Sequence, residues 1–184
     1  CGIMDQFISM LGKKGHVLFL DCRSLEYELV PVPFAANNAA IVVIDSAVKR
    51  GLVSSEYNLR RSQCEAAVEQ LKQDLPHVRA LRDVNTANLD LVEKLPSDLR
   101  KRARHVITEN QRVLDAAKHL AAGNLQEFGQ LMNQSHASLR DDYEVSCGEL
   151  DLLVELAQSV PGTYGSRMTG AGFGGCTVTL ISNE

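Results

Sequence analysis

Apolar positions along this chain recur with two different periods. Ile3, Phe7, Ile8 and Leu11 fall on one helical face, with Gly12 as a C-terminal stop. Two short strands are predicted next, over Val17-Leu18-Phe19-Leu20 and over Glu26 to Val32, the second closed by Pro31 and Pro33. Ala39 to Ile44 is a continuous apolar run, as expected for a central strand covered on both faces. From Ser54 the spacing turns helical through Tyr57, Cys64, Val68 and Leu71 until Pro76, and a short helix is predicted near Ala87 to Leu95. A long stripe from Leu99 to Leu120 ends at Gly123, and Asn124 can cap the next helix, whose stripe is Leu125, Phe128, Leu131, Met132 and Leu139. Ser146 with Glu149 forms a capping box for a helix through Leu150, Leu153, Val154 and Ala157, which Pro161-Gly162 breaks. A Gly-rich loop from Thr169 to Gly175 then runs into a strand over Cys176 to Ile181.

Strands, then a run of helices, then a strand make an α+β fold rather than regular βαβα alternation. The best boundary lies around Ser46 to Gly51, dividing the chain into 1–50 and 51–184. With 184 residues, 45% hydrophobic and 23% charged, such a chain can bury a core without disulfides or metals. The net charge of -4 argues against a nucleic-acid partner. No apolar run reaches the ~20 residues of a membrane helix, and no signal peptide is visible. The five cysteines are scattered without any CxxC spacing, which fits half-buried thiols in a reducing cytoplasm. The chain opens on Cys1 without Met and stops just after an apolar run, as a piece of a longer protein would.

The candidate chemistry begins with Met168-Thr-Gly-Ala-Gly-Phe-Gly-Gly-Cys176. Its glycines formally satisfy GxGxxG, but a dinucleotide fold needs a strand before the loop and a helix after it. Here a helix and loop precede and a strand follows, so that reading fails. So many glycines serve either a tight turn into a buried strand or a backbone brought close to an anion, and both readings stand on the loop alone. Asp5, in the first turn of its helix, either caps that helix or accepts a proton. Tyr57 lines up with Cys64 and Leu71 as a core residue, unless Asp5 is nearby and its phenol reaches a cleft. Arg100 to His105 is a basic cluster expected on a solvated helical face. The five histidines show no metal-binding spacing, so no metal site is assigned.

Three segments, taken together, resemble the galactokinase branch of the GHMP small-molecule kinases. They are Cys1-Gly-Ile-Met-Asp-Gln6, Lys49-Arg50 followed by Ser55-Glu-Tyr-Asn58-x-Arg60-Arg61, and Arg167 to Cys176; His136 to Asp142 is similar as well. The likeness keeps the family's order along the whole chain, and the bacterial members look nearest. It implies the end of a ribosomal-protein-like N-terminal domain over 1–50 and a ferredoxin-like C-terminal domain enlarged by helices over 51–184. It also implies transfer of the γ-phosphoryl group of ATP, with Mg²⁺, to the C1 hydroxyl of α-D-galactose in the cytoplasm. By matched position Asp5 corresponds to the residue that takes the hydroxyl proton, and Gly2 and Tyr57 to sugar contacts. Gly170, Gly172, Gly174 and Gly175 match the glycine loop beside the phosphates. A non-catalytic sugar sensor and a sister kinase acting on N-acetylgalactosamine share this pattern, and Asp5 leans toward an enzyme.

The family's first two motifs and the acidic residue that helps hold Mg²⁺ precede the position of Cys1, and its last helix and strand follow Glu184. The resemblance therefore predicts that these 184 residues alone bind ATP poorly, do not turn over, and self-associate through an unpaired sheet edge. Purified as such, the chain should release no ADP from Mg-ATP and galactose; steady release would refute this.

Overall fold

The computed structural model describes residues 2–48 and 53–183. Cys1 and Lys49-Arg50, both within the segments that carry the resemblance, lie outside the described residues. In chain order the elements are α1 (Met4–Leu11), β1 (His16–Leu20), β2 (Tyr27–Pro31), β3 (Ala39–Asp45) and α2 (Val53–Leu71). Two 3₁₀ turns, Leu81–Asp83 and Thr86–Asn88, lead to α3 (Leu89–Val92). There follow α4 (Ser97–Ala121), α5 (Leu125–Asp141), α6 (Gly148–Ser159), β4 (Thr163–Met168) and β5 (Cys176–Ser182). This is the mixed helix and sheet arrangement that the hydrophobic periods predict. No helix among the described residues is long and apolar enough to cross a membrane. Cys22 is exposed, Cys64, Cys147 and Cys176 are half-buried, and all four are free.

β1 and β2 form an antiparallel hairpin, tied at its tip to the first 3₁₀ turn by Arg82 on Asp21 (2.6 Å) and Arg23 on Asp83 (2.7 Å). The other three strands make an antiparallel sheet in the order β3-β5-β4. β3 pairs with β5 along its length, from Ala39↔Ser182 to Asp45↔Cys176, so this sheet spans the boundary expected at residue 50. Among the described residues the strand is not central. It stands at the sheet edge, and Ile41, Val42 and Val43 are 40–61% exposed. Only its first residue, Ala39, is buried, packed with Leu120, Leu125, Met132 and Leu180, and beyond that end the apolar run is largely uncovered among the described residues.

β4 is the strand that the apolar pattern conceals. Thr163-Tyr-Gly-Ser-Arg-Met168 carries a glycine, Thr163, Ser166 and Arg167, yet none of its residues is exposed. One edge pairs with β5, and its other edge faces α5. Gly129 of α5 lies directly on Gly165 of β4: a Cβ on Gly129 would overlap the Tyr164 carbonyl, and one on Gly165 would overlap the Gly129 carbonyl. At that separation the side chains of α5 reach the outward-facing amides of β4. Asn133 Oδ1 accepts the Ser166 N–H at 2.8 Å, and His136 Nδ1 accepts the Met168 N–H at 3.3 Å. The helix thus stands in for a fourth strand along the outer edge of β4.

Apolar packing fills the spaces around this junction. Leu120, Leu125, Met132 and Leu180 close the gap between the sheet and the α4–α5 corner, where Gly123 turns the chain at φ 77°. Leu139, Val145, Leu150 and Met168 form a smaller core under the glycine loop. Ala67, Leu71, Val92, Ala103 and Ile107 hold α2 and α3 on α4. Asn124 does precede α5 but its side chain makes no capping bond. Nor does the expected capping box form on α6: its N-cap is Cys147, and Ser146 Oγ instead donates to Asp151 Oδ1 at 2.5 Å.

The basic cluster also departs from expectation. Arg102 is 2% exposed rather than solvated, because α4 turns it toward the bend that follows α5. It donates to the Asp142 carbonyl (2.6 Å), the Glu144 carboxylate (2.7 Å) and the Gln63 side chain (2.9 Å). Arg60 of α2 grips the same bend through the Tyr143 and Glu144 carbonyls, each at 2.8 Å. His105 of that cluster is buried too, stacked on Tyr143 at 4.5 Å and 3.0 Å from Ser138 Oγ. Burial lowers its pKa to about 4, so the ring is neutral at pH 7.

Substitutions at Gly129 and Arg102 test these supports, with Arg61 as the exposed control. Gly129→Ala gains about 1 kcal/mol of helix propensity but must push α5 off β4, a strain of about 3 kcal/mol, so net destabilisation is expected. Arg102→Met should lose roughly 2–3 kcal/mol, since it strands buried acceptors, and Arg102→Lys should not restore it. Arg61→Met, at an exposed i,i+4 pair, should change stability by less than about 0.5 kcal/mol. Denaturant midpoints measure all of these, and a neutral Gly129→Ala or Arg102→Met would contradict the packing described.

Candidate functional site

The glycine loop joins β4 to β5 and sits on the bend that Arg60 and Arg102 hold. Gly170, Gly172, Gly174 and Gly175 all have positive φ, between 82° and 118°, and Phe173 joins them at 57°. Two of these glycines are also forced by contact. A Cβ on Gly172 would run into the Val145 carbonyl, and one on Gly174 would lie 2.9 Å from the Val48 carbonyl. The loop is anchored at three points: Phe173 N–H donates to Val145 O (2.7 Å), Thr169 N–H to Cys176 O (2.9 Å), and Ser46 N–H to Gly175 O (2.8 Å). Among the described residues the amides of Gly170, Gly172 and Gly174 have no acceptor. A run of left-handed residues with free amides is a concave donor surface suited to an anion.

A strand does precede this loop, contrary to the expectation that a helix and loop would. A second strand follows it, so no helix N-terminus is presented and the dinucleotide reading still fails.

Arg60 links the loop to the Tyr57 helix. Its guanidinium lies 6.0 Å from the centre of the Phe173 ring, while its nitrogens hold the bend beneath. Tyr57, one turn earlier on α2, is 49% exposed and so is no core residue, although Leu71 two repeats later is buried. The packing against α4 that covers Leu71 does not reach back to it. Gly2 and Asp5 are exposed, Asp5 in the first turn of α1 as expected. The Asp5 carboxylate makes no hydrogen bond or ion pair with any described residue, and it caps nothing. The structure therefore brings Tyr57's helix and the glycine loop together through Arg60, and does not join Gly2 or Asp5 to them.

Charged groups that sequence reading missed flank the loop's entry. Arg167, immediately before Met168, pairs with Glu109 of α4 at 3.2 Å, and Glu109 also binds Arg112 (2.7 Å) and the Ser135 hydroxyl. Burial alone would raise the Glu109 pKa, but Arg167, Ser135 and Arg112 outweigh it and hold the carboxyl below its usual range. Burial pulls the Arg167 pKa down in turn. The clue available in the sequence was four-residue helical spacing: Arg112 and Thr108 share a face beside Glu109, and Arg112 donates to Thr108 Oγ1 at 3.0 Å. No group of three or more His, Cys, Asp or Glu side chains is placed to hold a metal ion among the described residues.

Comparison with known proteins shows what this chain is similar to. Residues 114–184 match the family model described as GHMP kinases C terminal. The galactokinase of Roseiflexus sp. is 54% identical over all of this chain and 46% of its own length. Human galactokinase is 53% identical over 98% of this chain and 45% of its own length, so the bacterial and human relatives lie in the same range. The chain spans about half the length of the curated relatives it matches. Among solved structures, Lactococcus lactis galactokinase complexed with galactose superposes with a TM-score of 0.91 at 41% identity, covering 99% of this chain and 47% of that one. Residues 114–184 are therefore similar to a GHMP kinase C-terminal domain, and the likeness to galactokinases runs along this chain from end to end.

Proposed function

We propose that the protein to which this chain belongs is a galactokinase, passing the γ-phosphoryl group of ATP to the C1 hydroxyl of α-D-galactose to give galactose 1-phosphate and ADP. The observation that carries this is the TM-score of 0.91 over 99% of the chain against a galactokinase complexed with galactose. The positive-φ glycine loop and the exposed Asp5 and Tyr57 are consistent with it.

In this reading the C1 oxygen forms a bond to the γ-phosphorus while the bond from that phosphorus to the β,γ-bridging oxygen breaks. Asp5 orients the hydroxyl and collects its proton, and ADP leaves with the bridging oxygen. Gly2 and Tyr57 contact the sugar. Gly170, Gly172, Gly174 and Gly175 lie on the phosphate side, where free amides offset the charge that shifts onto the leaving oxygen. Mg²⁺ would accompany ATP in such chemistry, and the part proposed for this chain's own residues is proton handling and anion binding. The cytoplasm is the proposed location.

The hairpin and α1 correspond to the end of a ribosomal-protein-like domain. The sheet with α5 and α6 corresponds to a ferredoxin-like domain carrying extra helices. The division between them is proposed at residues 50 and 51, and β3 reaches across it to pair with β5. The outer edge of β3 has no strand beside it among the described residues, and it is the proposed surface for self-association of the isolated chain.

ADP release from Mg-ATP by the intact protein should depend on galactose, and Asp5→Asn should lower kcat by about a hundredfold or more. Galactose binding without any ADP release would make the protein a sugar sensor. Near-normal turnover by Asp5→Asn would remove Asp5 from the reaction.

A further inference from the structure

His136 is 3% exposed, and it stands where α5, α6 and β4 meet. Its Nδ1 accepts the Met168 amide, two residues before the first glycine of the loop. Its Nε2 is fully buried, 3.2 Å from Asp151 Oδ1 but without a well-aligned hydrogen bond. This arrangement fixes the chemistry of the ring. An Nδ1 that accepts cannot carry a proton, so the proton must be on Nε2, which is also the nitrogen beside the carboxylate. A doubly protonated ring would turn an N–H against the Met168 N–H and break the contact.

Asn133, one turn earlier on the same helix, shows what the contact is for. It accepts the Ser166 amide in the same way, so the pair holds two alternate outward amides of β4. Asn133 cannot titrate and His136 can. The titratable site is also the one nearer the loop, at the last residue of β4.

We infer that neutral His136 is a positioning residue for the glycine loop: it sets the backbone at Met168 and releases it when protonated. The charged groups around the ring are Asp151 and Glu155 on α6, Arg140 and Asp141 on its own helix, and Arg167 on β4. Burial disfavours the imidazolium most, and Arg140 and Arg167 add to this while Asp151 opposes it, so the ring's pKa lies below its usual value. The sign follows: the clamp is closed at neutral pH and opens as the solution becomes acidic.

The acceptor Oδ1 of asparagine occupies the same place along its side chain as Nδ1 of histidine. His136→Asn therefore keeps the acceptor and removes the titration, whereas His136→Leu removes both. In the intact protein, His136→Asn should hold kcat within about threefold of wild type at pH 7.5, and its acid limb should begin at lower pH. His136→Leu should lose about tenfold or more in kcat, with KM for ATP raised and KM for galactose unchanged. An unaltered acid limb in His136→Asn would overturn the inference, as would full activity in His136→Leu; if His136→Leu does not fold, the Asn profile decides alone.

The kinetic arms rest on the kinase reading, and a spectroscopic arm does not. Imidazole ¹⁵N shifts at pH 7.5 should show the Nε2–H tautomer of His136. An Nδ1–H tautomer would overturn the clamp whatever the protein phosphorylates. Wild type without galactose-dependent ADP release would instead remove the proposed function and leave the tautomer result standing.

Discussion

The contact between α5 and the outer edge of β4 governs the rest of this structure. Gly129 on Gly165 brings a helix and a strand to backbone distance. Only at that distance can side chains as short as Asn133 and His136 accept the Ser166 and Met168 amides. Leaving each buried amide unpaired would cost about 1–3 kcal/mol, comparable to the strain of adding one methyl group at either glycine. The two effects therefore depend on each other. Without the glycines the acceptors cannot reach, and without the acceptors close approach would bury unsatisfied donors.

From that junction the positions around the glycine loop follow. The loop leaves β4 at Met168, rests on Val145 and returns into β5, so its start is set by α5 and its floor by the bend after α5. Arg102 and Arg60 hold that floor from two other helices, and Arg60 passes the constraint on to Phe173. Isolated exposed ion pairs such as Arg61–Glu65 contribute little by comparison. What positions the loop is a small set of buried cations donating to backbone carbonyls, where no water can substitute. Lys101 and Arg102 together lower the Glu144 pKa to about 2, which keeps that carboxylate charged across the ordinary pH range.

Much of the fold was legible in the sequence because most of its helices have a polar side. The stripes ending at Gly12 and Gly123 predict α1 and α4 closely, and the break at Pro161-Gly162 ends α6. What failed did so for physical reasons. β4 hides because its burial comes from close backbone approach, which requires glycine and tolerates serine, so the apolar signal is missing. β3 misleads in the opposite sense, since an apolar run says nothing about whether anything covers it. Arg102 and His105 belong to a run that reads as a charged surface. A single sequence does not show which charges of a helix turn inward to satisfy carbonyls forty residues away. Of the candidate site, the glycine loop was legible as a backbone requirement and Asp5 as a first-turn carboxylate. The placing of Tyr57 was not, because helical periodicity continues past the point where packing ends.

Native-state hydrogen exchange at the Ser166 and Met168 amides tests the α5–β4 junction most directly. If α5 closes that strand edge, both amides exchange only through global unfolding, as slowly as the amides that β4 donates to β5. Exchange of Ser166 and Met168 at the rate of an open edge strand, with their neighbours still protected, would contradict it.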